Sequence, residues 1–350
     1  MPGPPEVARV LERVVRSGRR HDLFLPDTTV MVASSGGPDS TCLLHALHRL
    51  RRLFRVELMV FHFDHRLRQG SERDAAYAER QAGSLGVPFV VRRATGGPHR
   101  GESVEAWART ARYGALTSAA TDAGADRVAL GHTLDDQAET VLLGLTRGGG
   151  VEAVAGMPSL GSIPPLGFPA VRPLLGVTRD EVVAFNRALR LRPRRDPTNE
   201  DRRFLRNRVR LDVLPALERD LDRNVRATLA RTAEHVRQDA EYLESLASAA
   251  ATSVAEVRGD EVRLQSGRLA GLPGPIAVRV VRQALRAAAA LAGASESEAG
   301  ATHIAAVLDL AAGRPGRRTH LPGDLVAERV RGYVRLSRPS PGRTKRKGER

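Results

Sequence analysis

At 350 residues the chain is too long for one ordinary hydrophobic core, and its composition, 41% hydrophobic and 27% charged, is that of a globular rather than a disordered protein. No run approaches the roughly 18 apolar residues of a membrane span, and the single cysteine, Cys42, excludes a disulfide framework and any paired-cysteine metal or redox site. The formal charge of +15 points to a polyanionic partner, a weak signal by itself because lysine occurs only at 345 and 347 and the Arg- and Ala-rich bias raises the isoelectric point without adding charge.

Pro2-Gly3-Pro4-Pro5-Glu6 has no basic start followed by an apolar run, so no signal peptide is expected and the cytoplasm is the natural compartment. The first half then alternates short β-branched runs with helical patterns, as in a parallel sheet covered by helices. Strands are predicted at 29–34, 56–63, 88–92 and 127–131, with helices over 40–53, 72–85, 103–123 and 135–145. This predicts a doubly wound α/β fold, whose ligands bind beyond the carboxyl ends of the strands, after Ser34, Phe63 and Gly131. The Gly- and Pro-rich segment 148–169 reads as a long loop with little structure of its own. A strand over 170–174, a helix over 179–191 and a charged stretch from Arg192 to Arg210 follow. From about Leu211 the pattern turns helical: a long charged helix over 222–255, helices near 276–292 and 302–311, and strands at 319–321 and 333–336. The expected domains are therefore 1–214, binding nucleotide, and 215–338, mainly helical. Residues 339–350 read as a basic tail without fixed structure.

Ser35-Gly36-Gly37-Pro38-Asp39-Ser40 lies between an apolar strand and a helix. Glycines let the backbone approach an anion, and successive amides at a helix N-terminus make a phosphate site. Ser35 and Ser40 add hydroxyl donors, and Asp39 can hold a magnesium ion bridging phosphate oxygens. A plain strand-to-helix turn with a Ser or Asp cap has the same outline. No Walker lysine is present, which excludes the usual P-loop kinase or GTPase scheme. Further on, His132, Asp136 and Glu139 follow helical spacing and share a face. They read either as an N-capped, solvated acidic face or as a carboxylate cluster suited to magnesium or an ammonium group. Arg112 and Arg109, near Glu105, either belong to a weak intrahelical ion pair or stabilise developing negative charge. His62 and His65 lack the partners and spacing of a zinc site, and Trp107 reads as a core anchor.

The Ser-Gly-Gly-x-Asp-Ser loop resembles the PP-loop of ATP pyrophosphatases, which cleave ATP between its α and β phosphates and adenylylate a substrate oxygen. Four more ordered segments over roughly Val30 to Leu217 resemble one PP-loop family, tRNA(Ile)-lysidine synthase. They are His62-Phe63-Asp64-His65-Arg66-Leu67-Arg68; Glu105 with Ala108-Arg109 and Arg112-Tyr113; Gly131-His132-Thr133-Leu134-Asp135-Asp136-Gln137-Ala138-Glu139-Thr140, continued by Arg147-Gly148 and Gly156-Met157; and Asp196-Pro197-Thr198-Asn199 with Phe204, Arg206-Asn207 and Arg210. The likeness is weaker in the C-terminal third. It implies that ATP and a tRNA(Ile) with a CAU anticodon bind and that the C2 oxygen of the wobble cytidine attacks the α-phosphorus. The ε-amine of free L-lysine then displaces AMP, which forms lysidine and switches codon reading from AUG to AUA. On this reading Ser35 to Ser40 bind ATP, and Asp39, Arg112, His132, Asp136 and Glu139 are catalytic. Asp39 and Asp136 hold magnesium, the family pattern favouring Asp136 over Asp135. Arg147, Asn199, Arg206, Asn207 and Arg210 position tRNA or nucleotide. A homodimer is compatible with the reading and no membrane partner is expected.

Rival readings are a PP-loop tRNA thiolase, a small-molecule amide synthetase of the same fold, and a non-enzymatic RNA-binding protein. A thiolase ordinarily carries sulfur on a reactive cysteine, often one of a pair, whereas Cys42 stands alone between Thr41 and Leu43. An amide synthetase needs neither the positive charge nor a helical second domain.

Overall fold

The computed structural model describes residues 3–66, 70–98, 101, 103–148, 150–163, 167–194, 200–293 and 299–339, the side chain of Glu105 excepted. Expectations placed on Leu67, Arg68, the Glu105 side chain, Asp196 to Asn199 and the tail from residue 340 lie outside these residues. The chain packs as two units, Met1–Arg237 and Gln238–Arg350.

The first unit opens with α1 (Pro5–Arg20), β1 (Thr28–Ala33), α2 (Pro38–Phe54), β2 (Val56–Asp64), α3 (Ser71–Ser84) and β3 (Phe89–Arg93). Next come α4 (Val104–Asp122), β4 (Arg127–Ala129), α5 (Leu134–Thr146), α6 (Gly150–Val154), β5 (Leu160–Ile163), β6 (Phe168–Val171) and α7 (Arg179–Ala188). α8 (Leu205–Arg208), a π-turn over Val209–Val213, α9 (Leu214–Leu221) and α10 (Val225–Val254) follow, and the division between the units falls within α10.

The sheet runs β3-β2-β1-β4-β6-β5, parallel throughout except for the antiparallel β5. Alternation along its strands sorts the core into two layers. Val30 and Val32 of β1 and Val60 of β2 pack with α1, α2 and α7 through Val10, Val14, Leu43, Leu47, Val182 and Phe185. Met31 and Phe61, pointing the other way, pack with Tyr113, Leu116 and Ala120 of α4. The strand order reverses between β1 and β4, so the loops after these two strands flank one crevice at the carboxyl edge of the sheet.

The segment 148–169 differs from the loop expected there, because α6 and the edge strand β5 lie within it. Four-residue β5 carries one buried side chain, Ile163, and its register comes from pairing with β6 rather than from its own pattern. The division between units also falls later than Leu214–Pro215: Leu214 and Val225 are buried with Ala138 and Val209, which binds that helical run to the first unit.

The second unit keeps the expected helical character in α11 (Ser266–Ala270), α12 (Gly274–Leu291) and α13 (Ala301–Ala312). It also holds a five-stranded antiparallel sheet, ordered β7-β8-β11-β10-β9, from β7 (Ala255–Arg258), β8 (Glu261–Gln265), β9 (Arg318–Leu321), β10 (Leu325–Val330) and β11 (Tyr333–Ser337). Val262, Leu264, Ala327, Val334 and Leu336 from the sheet bury against Val280, Val281, Leu285 and Val307.

Candidate active site

The loop after β1 is built for close approach. Gly36 sits at φ +79°, open to glycine at little cost, and a side chain there would press on Tyr77. Gly37 is the N-cap of α2 and Pro38 opens its first turn. Ser35 Oγ lies 3.2 Å from Ser40 Oγ and accepts from the Gly37 N–H at 3.3 Å, while Ser40 Oγ donates to the Gly37 carbonyl at 3.1 Å. Gly131, just past β4, completes the crevice. A Cβ on it would stand 3.2 Å from the Asp39 carbonyl carbon and the Ser40 nitrogen, so a side chain there would press the end of β4 against the first turn of α2.

Asp39 occupies the first turn of α2 with its Oδ1 buried and without a hydrogen-bond partner. Burial pushes its pKa up to about 6, Arg179 opposing that rise and Asp136 adding to it. A carboxylate with an uncommitted buried oxygen beside a phosphate-type loop fits a cation. Among the described residues no three His, Cys, Asp or Glu side chains converge, so that cation would take its other ligands from water and phosphate, as magnesium commonly does.

The start of α5 carries the second cluster. Thr133 and Asp136 form a capping box: Asp136 Oδ2 accepts from the Thr133 N–H and hydroxyl, both at 2.9 Å. Asp136 Oδ1 accepts from Arg210 Nη2 at 3.0 Å and Arg206 Nη2 at 3.3 Å. Glu139, fully buried one turn on, takes Arg206 Nε at 2.7 Å and Arg210 Nε at 2.5 Å. The two arginines stand one turn apart on the α8–π-turn run, which is why both reach the same carboxylates. Burial alone would raise the Asp136 pKa, but Arg206, His132, the Thr133 amide and Arg210 outweigh it and bring the pKa below its ordinary value. Burial likewise works against the Arg210 charge and is outweighed by Glu139, Asp136 and Asp39, so the pKa of Arg210 rises. Thr133 therefore caps the helix as the first reading has it, but Asp136 and Glu139 are buried and paired with arginine rather than solvated. Asp136 spends the four acceptor positions of its carboxylate, which leaves Asp39 the better suited to a metal.

His132 lies beside this network. Burial dominates its environment, and with help from Arg172, Arg206 and Arg109 it lowers the pKa against the pull of Asp136, leaving a neutral ring whose Nδ1 is buried without a partner. Arg112 lies 5.2 Å over the Tyr113 ring and Arg109 lies 4.8 Å over it, and no described ion pair draws either to the phosphate loop. Arg147 is exposed at the C-cap of α5. Asn207 donates to the Asp201 carbonyl at 2.9 Å and thereby holds the turn before α8. His62 binds the Ser34 carbonyl at 2.8 Å, supporting the loop from behind. Trp107 packs half-buried against the α4 core, as expected of an anchor.

Sequence reading missed several residues that shape the site. Gln137 accepts from the Met157 N–H at 2.8 Å and donates to the Met157 carbonyl at 3.0 Å, fastening the Gly156–Met157 turn to the helix that carries Asp136. Asp135, set aside in favour of Asp136, joins α5 to the Arg179 N–H at 2.8 Å and to Arg226 at 3.2 Å. Buried Arg172 donates to the Pro158 carbonyl at 2.9 Å. Each partner lies 14 to 91 residues away in sequence, so no local pattern announces these contacts.

A PP-loop domain model matches residues 6–217. The chain is 42% identical to a curated tRNA(Ile)-lysidine synthase of Salinispora tropica over 337 residues, which cover 94% of this chain and 96% of that protein. It is 40% identical to the enzyme of the same name from Symbiobacterium thermophilum over 81% of the chain, and 30% identical to that of Clostridioides difficile over 79%. The chain spans about three fifths of the length of those two relatives, 59% and 60%. Among solved structures, a U34-tRNA thiolase from Methanococcus maripaludis superposes with a TM-score of 0.56 at 17% identity, covering 66% of this chain and 79% of that one, a likeness of fold. Through the match to the PP-loop model and the near full-length similarity to the Salinispora protein, the chain belongs to the PP-loop family and, within it, to the tRNA(Ile)-lysidine synthases.

Proposed function

We propose that the protein ligates free L-lysine to C2 of the wobble cytidine in the CAU anticodon of tRNA(Ile), consuming ATP and releasing AMP and pyrophosphate. The observation that carries this reading is the 42% identity to a curated lysidine synthase over 96% of that protein's length. The site chemistry agrees with it.

Magnesium held at Asp39 would neutralise phosphate charge when bound. The loop from Ser35 to Ser40 borders the same crevice, and its free amides and hydroxyls would hold the leaving pyrophosphate, whose charge grows as the bond to the α-phosphorus breaks. A neutral His132 can accept or donate a hydrogen bond at the cytidine without adding charge to the crevice. The lysine ε-amine must arrive positively charged and attack unprotonated, which calls for a carboxylate to receive it and take a proton. Asp136 and Glu139 are suited to this, provided that Arg206 or Arg210 gives way, since both carboxylates are now occupied by guanidinium groups. Arg112, Arg147, Asn199 and Asn207 are proposed to position RNA or nucleotide.

A thiolase is the weaker reading: Cys42 is fully buried and burial, then the charge of Asp39, pushes its thiol pKa up, away from the nucleophilic thiolate. Pyrophosphate release measured with and without a CAU-anticodon tRNA(Ile) transcript tests the first step. Release that requires the transcript supports adenylylation of tRNA. Release that is indifferent to tRNA but requires a small carboxylic acid would favour an amide synthetase.

A further inference from the structure

Lysine occurs in this chain only at 345 and 347, and within the described part of the first unit the positive side chains beside the phosphate loop are arginine and histidine. Among the described residues Arg179 is the guanidinium that pairs with the loop's own carboxylate, with Nη2 3.6 Å from Asp39 Oδ2. It is placed by its backbone rather than by its side chain. Thr178 caps α7 through a capping box with Glu181, and the Arg179 N–H donates to Asp135 Oδ2 at 2.8 Å, tying the start of α7 to the start of α5. Farther along α7, Asn186 Nδ2 donates to the Pro38 carbonyl at 3.0 Å, which fixes the helix against the loop.

The Arg179 side chain is left with little to hold. Its contact with Asp39 is longer than a hydrogen bond, and its Nε is buried without an acceptor while the side chain as a whole keeps 38% of its exposure. A buried N–H without an acceptor is costly, and beside a guanidinium only loosely engaged by Asp39 it leaves Arg179 with donors to offer a further partner. The neighbouring arginines are committed elsewhere: Arg206 and Arg210 to Asp136 and Glu139, and Arg194 to Asp74 at 3.0 Å.

We propose that Arg179 grips the β and γ phosphates of ATP and holds the pyrophosphate as it leaves, taking the place a lysine fills in other phosphate loops. The inference rests on the ATP-dependent reading above. In the step concerned, a bond forms between the cytidine C2 oxygen and the α-phosphorus, and the bond from that phosphorus to the bridging oxygen of the β-phosphate breaks. The electron pair leaves on pyrophosphate, and the planar guanidinium can offer two N–H donors to the oxygens that gain charge. Because the Arg179 amide rather than its side chain anchors α7, a substitution removes the charge and leaves the anchor.

The test is calorimetric titration of the full chain with ATP and separately with AMP, both with magnesium, for the parent, Arg179→Ala and Arg179→Lys. Thermal melting checks that the variants fold. Arg179→Ala should weaken ATP binding at least about tenfold, the scale of a lost charged hydrogen bond, with AMP affinity unchanged and with Arg179→Lys recovering part of the loss. Unchanged ATP affinity, or an equal loss for ATP and AMP, would overturn the assignment. A folded parent chain that binds no ATP would instead overturn the ATP reading beneath it.

Discussion

Asp39 is held in the folded state at a cost, and the variant Asp39→Asn exposes it. Burial pushes the carboxyl from 3.8 to about 6, so ionising it at neutral pH works against folding. At about 1.4 kcal/mol per pKa unit, that shift corresponds to about 3 kcal/mol. The side chain is 25% exposed, and solvent screening reduces the figure to roughly 1–3 kcal/mol. Asn has nearly the same shape and no charge to lose, so the variant should be more stable than the parent at pH 7.5. For a unit of this size the gain is roughly 2–12 °C in Tm. The sign follows from proton binding. Between the unfolded pKa near 4 and the folded value near 6, the folded parent holds more protons than the unfolded chain, so parental stability falls as pH rises through that window and is level above it. The gap between variant and parent should therefore open from pH 4 to 6 and be nearly absent below pH 4. Melting curves by circular dichroism from pH 4 to 8, without nucleotide, measure it. A variant less stable than the parent at pH 7.5, or a gap that does not change with pH, would refute the reasoning. The same variant should lose product formation, because the acceptor proposed for magnesium is gone.

Three other substitutions follow from the site. Glu139→Ala leaves Arg206 and Arg210 facing an emptied, buried position, and should cost about 3–5 kcal/mol in urea denaturation; a loss below about 1 kcal/mol would mean the pairs contribute little. Gly131→Ala places a methyl 3.2 Å from the Asp39 and Ser40 backbone, so ATP binding should weaken by tenfold or more in a chain that still folds, and unaltered binding by calorimetry would contradict the close packing described. Cys42→Ser should keep its activity on tRNA at some loss of stability, about 1–3 kcal/mol for a buried hydroxyl; loss of activity in a folded variant would reopen a sulfur-carrying reaction.

Much of the first unit was legible because its signals are local. β1 and β2 are strongly apolar, α5 is preceded by a capping threonine, and the glycines of the phosphate loop fall between a strand and a helix, which marks a tight turn there whether or not it holds phosphate. The second unit's sheet was harder to see. Glu261-Val262-Arg263-Leu264-Gln265 offers two apolar residues among charged and polar ones, and β8 is a strand because β7 and β11 flank it. The same limit applies within the site. Helical spacing brought Asp136 and Glu139 together, but nothing local says that Arg206 and Arg210, about seventy residues on, occupy both carboxylates. Arg179 read as an ordinary helix start, and its nearness to Asp39 depends on β6 pairing with β4, which itself pairs with β1.

The central claim is tested most directly by following lysine itself. The full chain is incubated with ATP, magnesium, radiolabelled L-lysine and either a tRNA(Ile) transcript bearing a CAU anticodon or one in which the wobble cytidine is replaced by uridine. The account predicts acid-precipitable label in the first transcript only, with one AMP and one pyrophosphate released for each lysine transferred. Absence of label in the CAU transcript with a folded, ATP-binding protein would contradict it.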